Sequence, residues 1–200
     1  MESFTKEVLQ HNRSWADSMI QNDHFCFSDM CTGQTPKILW IGCSDSRVAS
    51  DTITKTCPGE IFTHRNIANT VHPDDENILS VIQYSVSVLG VQDIVVSGHT
   101  YCGGVDASMD SENISGPISN WLKPIVELYN QNKDEIDALP TSEERNLVLG
   151  ELSVKQAVDT VNSLDIIKSA RKSGKTINVH GWMFHMENGR LRDLKVTKSE

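Results

Sequence analysis

Apolar positions change their spacing several times along this chain, and each change marks a different element. From Phe4 to Gln21, the apolar residues Val8, Leu9, Trp15, Met19 and Ile20 stand among polar ones, which predicts an amphipathic helix or two short ones. Residues 29–36 are rich in turn formers. KILWIG, residues 37–42, is a short unbroken apolar run of the kind carried by a strand buried on both faces. Residues 61–64 form a weaker strand signal after the Pro58-Gly59 turn. DDENILSVIQYSVSVLG, residues 74–90, reads as a helix. It has acidic residues in its first turn, apolar Ile78, Val81, Ile82, Val86 and Leu89, and a closing glycine. DIVVSG, residues 93–98, is a second buried strand. Strand, long helix and strand with short connections is the βαβ pattern of a parallel sheet.

Downstream, residues 113–132 read as helical, with Pro124 bending or starting a helix. Residues 142–172 carry a long helical pattern, with a break expected near Gly150 and a C-cap at Ser173-Gly174. TINVHGWMFH, residues 176–185, is strand-like, and Asn188-Gly189 signals a hairpin returning through RLRDLKV. No internal repeat or low-complexity tract interrupts the pattern. The expected architecture is a single α/β domain over residues 1–200. It should have a mostly parallel central sheet flanked by helices, a C-terminal antiparallel hairpin, and a helical N-terminal arm over residues 1–30.

Charge and cysteine content narrow the function. The formal charge is −9, which argues against a general nucleic-acid binder. No apolar run approaches the ~20 residues that span a bilayer. MESFTKEVLQ lacks the apolar core of a secretory signal and the Arg/Ser-rich character of a transit peptide. A cytoplasmic location is expected, with neither nucleic acid nor membrane as partner. The five cysteines, Cys26, Cys31, Cys43, Cys57 and Cys102, are odd in number and include no C-x-x-C. In a reducing compartment that pattern means free thiols or metal ligands.

Candidate chemistry gathers where the two buried strands end. CSDSR follows the first, and SGHTYCGG, residues 97–104, surrounds the end of the second. In open α/β sheets, sites are built at the carboxyl edge. Cys43, His99 and Cys102 would offer two thiolates and an imidazole, a donor set zinc favours, with a fourth position left open for chemistry. Taken singly, a cysteine after a strand is a small buried hydrophobe and a histidine is a satisfied core residue. Two such clusters at equivalent strand ends favour a metal site over that plainer reading. Rival zinc and nucleotide motifs are missing: there is no H-x-E with P-C-x-x-C, no G-x-G-x-x-G, no H-E-x-x-H, no phosphate loop and no G-x-S-x-G elbow.

CSDSR at 43–47, RNIAN at 65–69 and HTYCGG at 99–104, in that order and spacing, resemble a β-class carbonic anhydrase. GQTPKILWIG, PGE at 58–60 and the closing INVHGWMFHMENGRLRDL resemble the family as well, and the last segment looks most like fungal members. The likeness runs over residues 33–194. It implies that Cys43, His99 and Cys102 bind Zn2+, with Asp45 as the fourth ligand in a closed state. In the open state Asp45 would pair with Arg47 and free the metal for hydroxide, which attacks CO2 to give bicarbonate and a proton. Gln34, Phe62 and Tyr84 match the family's substrate-pocket positions, the two aromatics often serving a dimer partner's pocket. Arg65, Asn66 and Asn69 would brace the loop and the dimer contact, while Cys26, Cys31 and Cys57 would be unligated. His64, His72, His180 and His185 could move protons but are assigned core or surface roles. The family assembles as dimers and tetramers, with the N-terminal helix packing on a neighbouring subunit. Two alternatives share the scaffold: a hydrolase of carbonyl sulfide or carbon disulfide, and a non-catalytic zinc-stabilised sensing module.

Overall fold

The two runs whose side chains are apolar on both faces pair in parallel at the centre of the sheet. In the computed structural model, residues 3–21 and 27–199 are described. β1 (Ile38–Cys43) and β3 (Asp93–His99) are buried along nearly their whole length, as unbroken apolar runs require. β2 (Ile61–Asn66) pairs with β1, and β4 (Asn178–His185) with β3, all in parallel. β5 (Arg190–Asp193) and the short β6 (Lys198–Ser199) pair antiparallel with β4. The strand order is β2-β1-β3-β4-β5. After β1 the chain moves to one side, and after β3 it moves to the other. The carboxyl ends of β1 and β3 therefore flank the topological switch point, where such sheets hold their sites.

The helices in chain order are α1 (Phe4–Gln21), α2 (Phe27–Met30), α3 (Ser50–Thr54), α4 (Glu76–Gln83), α5 (Gly103–Met109), α6 (Pro117–Trp121), α7 (Lys123–Gln131), α8 (Lys133–Asp137), α9 (Ser142–Ser163) and α10 (Asp165–Lys172). The chain divides into two compact units, Met1–Gln34 and Thr35–Glu200. The first holds α1 and α2; no residue of α1 is buried.

Two apolar cores share the second unit. One lies under the sheet, where Leu39, Ile41, Ile94, Val96 and Val179 pack on α4, α9 and α10. The other lies beyond the strand ends. There Val105, Leu122, Ile125, Ile136 and Leu149 from α5 to α9 close around Cys43 and Cys102.

Several elements depart from expectation in instructive ways. The helix over 74–90 starts at an Asp75 cap and passes into a π-turn over Tyr84–Val88. The 113–132 stretch is broken, with Pro124 in the first turn of α7. α9 opens with a Thr141/Glu144 capping box and runs straight through Gly150. The break comes at Leu164, whose extended ψ of 138° separates α9 from α10. Gly150 serves packing: a Cβ there would sit 2.9 Å from Met183 Cε of β4. The hairpin exists, but four residues lie between His185 and Arg190, with Gly189 left-handed at φ 70°.

Candidate metal centre

β1 delivers Cys43 as its last residue, and β3 delivers His99 as its last. Cys102 caps α5, one turn after His99. All three side chains are buried, and their ligand atoms lie within 4.8 Å of one another. The two sulfurs are 4.0 Å apart. Two thiolates on one tetrahedral zinc, each at about 2.3 Å, stand roughly 3.8 Å apart, so the pair is already spaced for the ion. His99 Nδ1 donates to the Thr100 carbonyl at 2.9 Å, which leaves Nε2 with its lone pair. That Nε2 is buried and has no hydrogen-bond partner among the described residues. A buried polar atom without a partner calls for an explanation, and a metal between it and two sulfurs supplies one.

Electrostatics agree with the geometry. The Cys102 thiol donates to Cys43 and so makes the Cys43 proton easier to lose, while burial works the other way. The second proton of the pair is then held, because its loss would leave two adjacent buried negative charges. Burial pulls His99 downward, but Cys43, the Thr100 carbonyl and Asp45 outweigh it, and the net direction is up. Without a cation the cluster therefore retains protons that a zinc ion would displace.

Arg47 holds Asp45 in a fork. Its Nε donates to Oδ1 at 2.9 Å and its Nη2 to Oδ2 at 2.7 Å. The guanidinium holds the carboxyl down at about 2. The segment is not extended there: the Arg47 amide also bonds Oδ1, so a tight turn brings the partners together. Asp45 Oδ2 lies 3.9 Å from His99 Nε2, beside the metal position. Arg47 Nη2 also donates to the Tyr101 carbonyl at 3.1 Å, tying the β1 loop to the β3 loop.

A cleft of about 360 Å3 opens beside Cys43 and Asp45, lined by Ile67, Gly104, Ala107, Ile118 and Leu122 among others. Gly104 is needed there, since a Cβ would come 2.9 Å from that of Ala68. Phe62 and Tyr84 do not line this cleft. They pack on each other with ring centroids 5.9 Å apart, Tyr84 being exposed. Gln34 is exposed and belongs to the N-terminal unit. Arg65 braces the ligand loop, donating to the carbonyls of Cys43 at 2.8 Å and Asp45 at 2.6 Å. Asn66 Nδ2 bonds the Thr70 carbonyl; Asn69 is buried with a left-handed φ of 47°. Cys31 and Cys57 are free and exposed, and Cys26 lies outside the described residues. His64 is buried, His72 bonds the Trp121 carbonyl, His180 pairs with Asp93, and His185 with Glu187.

Sequence reading missed two contributors. Ile67, seen only as part of RNIAN, walls the cleft. Asn146 looked like one more polar residue in a helix, yet it is buried and bonded to Cys102. Only its place on the apolar side of α9, beside Leu149 and Gly150, hints at this.

The carbonic anhydrase family model matches residues 38–191, from β1 into β5. A carbonic anhydrase of Emericella nidulans is 37% identical over 196 residues, covering 98% of this chain and 86% of that protein. One from Candida albicans is 36% identical over 203 residues, covering 100% and 71%. Among solved structures, one of two tetrameric β-carbonic anhydrases of the ascomycete Sordaria macrospora superposes with a TM-score of 0.92 at 37% identity, covering 98% of this chain and 100% of that one. A β-carbonic anhydrase of Aspergillus fumigatus gives 0.91 at 35% identity, covering 98% and 93%. Sequence, fold and the cysteine–histidine–cysteine cluster point the same way: the chain belongs to the β-class carbonic anhydrase family.

Proposed function

We propose that this chain catalyses the reversible hydration of CO2 at a zinc centre held by Cys43, His99 and Cys102. One observation carries the reading: the buried, unpartnered Nε2 of His99 faces the same point as two sulfurs 4.0 Å apart. Zinc in such a site lowers the pKa of water to about 7 and so supplies a nucleophile at neutral pH. Asp45 accepts a hydrogen bond from the attacking oxygen and aims its lone pair at carbon. Arg47, whose fork engages both carboxylate oxygens, would keep Asp45 in that role and away from a bound metal. Release of that fork would let Asp45 swing onto the metal and close the site. Ile67, Ala107, Ile118 and Leu122 give a small neutral molecule an apolar approach. Phe62 and Tyr84 would wall the cleft of a neighbouring copy, and Gln34 would donate an amide N–H to a substrate oxygen.

The chain would act in the cytoplasm as a dimer or tetramer. The Sordaria relative is described as tetrameric, and the unburied apolar residues of α1, with Phe4, Leu9 and Ile20 exposed, suit packing on a second copy. Light scattering behind size-exclusion chromatography tests this, and a monomer refutes it. The function itself is tested by zinc stoichiometry together with stopped-flow CO2 hydration from about pH 6.5 to 9, around the water pKa of ~7. We expect one zinc per chain and turnover rising with pH, with Asp45→Ala keeping zinc and losing most turnover. Metal-free active protein, or a zinc-replete Asp45→Ala with full activity, overturns the proposal.

A further inference from the structure

The peptide between Tyr101 and Cys102 is held at both of its polar ends. Its carbonyl accepts from Arg47 at 3.1 Å. Its N–H donates to Asn146 Oδ1 at 3.2 Å, across 44 residues of sequence. The Asn146 amide then continues around Cys102: Nδ2 donates to the Cys102 carbonyl at 3.0 Å and to Asp106 Oδ1 at 2.7 Å. Both main-chain groups of one metal ligand thus end on a single side chain. That pairing also settles which amide atom is oxygen, because only oxygen can accept from the N–H.

This grip has something to resist. Tyr101 is left-handed at φ 57°, a conformation that an aromatic residue adopts only under constraint. The strained residue lies between two zinc ligands, His99 and Cys102, and sets the angle between them. If it relaxed, the Cys102 sulfur would turn away from the point that Cys43 and His99 share. Asn146 is suited to prevent this. It is buried, it sits in the long rigid α9, and Asp106 fixes its remaining amide proton.

We propose that Asn146 is a positioning residue for the zinc ligand Cys102, holding the Tyr101–Cys102 peptide from α9 while Arg47 holds it from the β1 loop. The inference rests on the zinc reading above. Supporting residues of this kind change metal affinity by about 10–100-fold when removed. The test uses the full-length, zinc-loaded chain and its cobalt-substituted form. Asn146→Ala should release zinc to a chelator about tenfold faster or more, and should alter the visible cobalt–thiolate bands. Val158→Ala, which opens a cavity in the same helix within the core under the sheet, should lower the melting temperature with zinc release unchanged. Asp106→Ala leaves both bonds to Cys102 and should fall between wild type and Asn146→Ala.

Should Asn146→Ala fail to fold, Asn146→Leu decides the matter. It keeps nearly the same size but has neither the acceptor for the Cys102 N–H nor the donors for the Cys102 carbonyl and Asp106. Fast release from that variant supports the proposal; a wild-type rate overturns it. Asn146→Ala releasing zinc no faster than Val158→Ala also overturns it. A wild-type chain that takes up neither zinc nor cobalt sinks the metal reading itself, a result distinct from either.

Discussion

Met183 lets one methyl group be tested in two places. At Gly98, beside His99, a Cβ would stand 2.7 Å from Val154 Cγ2 and 3.0 Å from Met183 Sδ. Ordinary carbon contacts are about 3.5–4.0 Å, so the overlap with Val154 is close to an ångström. Val154 and Met183 are completely buried, and α9 is seated on the sheet at this spot. Overpacking of this kind costs about 1–3 kcal/mol, and loss of glycine's backbone freedom offsets about 0.5–1 of it. At the midpoints a net cost of about 1.25 kcal/mol remains, and at roughly 2–4 °C per kcal/mol for a chain of this size Gly98→Ala should melt about 2.5–5 °C below wild type. At Gly150 the single close atom is Met183 Cε, the free end of a flexible side chain. A helical Gly→Ala change gains about 1 kcal/mol, so Gly150→Ala should stay within roughly 3 °C of wild type. Calorimetry on zinc-saturated samples measures both. A Gly98→Ala protein as stable as wild type, or a Gly150→Ala protein that melts lower than Gly98→Ala, refutes the packing account.

Three further outcomes are expected. Burial holds His64 below its ordinary 6.5, against a smaller upward pull from Asp75. A folded value below the unfolded one gives stability that is full above 6.5 and lost as pH falls, when the unfolded chain takes the proton. His64→Gln should therefore soften the drop in melting temperature from about pH 7.5 to about 5.5, and an unaltered slope counts against this. Removing zinc with a chelator should lower the melting temperature, and zinc should restore it. A ligand at a thousand times its Kd contributes about 4 kcal/mol, and a melt that ignores proven metal loss rejects the site. Arg65→Met removes charged donors from the carbonyls of Cys43 and Asp45. It should weaken zinc retention and turnover together, with Arg65→Lys, able to serve one carbonyl, in between; wild-type retention in Arg65→Met argues against the brace.

The parts legible in the sequence were those with local chemistry. Apolar runs marked β1 and β3, and their polar ends marked Cys43, His99 and Cys102 in advance. Turn and cap residues marked the hairpin and the start of α7. The remainder depends on contacts between distant segments. Gly150 resembles a helix breaker until Met183 is placed against it. Leu164, where the helix does break, carries no breaking residue. Asn146 is an unremarkable helix residue until the fold sets it on Cys102, 44 positions earlier. The cleft is likewise assembled from Ile67, Ala107, Ile118 and Leu122, which lie on separate segments. Phe62 and Tyr84 found each other through packing that their spacing does not encode.

The separation of Cys43 from Cys102, 59 residues, bears on when metal can be captured. An unfolded chain offers His99 and Cys102 as a close pair, but Cys43 must be brought in by closing a long loop, an entropic penalty that β1–β3 pairing meets during folding. Partial ligation of nascent polypeptide would therefore be weak, and tight capture would wait for the parallel pair. An ion bound only by the finished fold would reward completion without trapping intermediates.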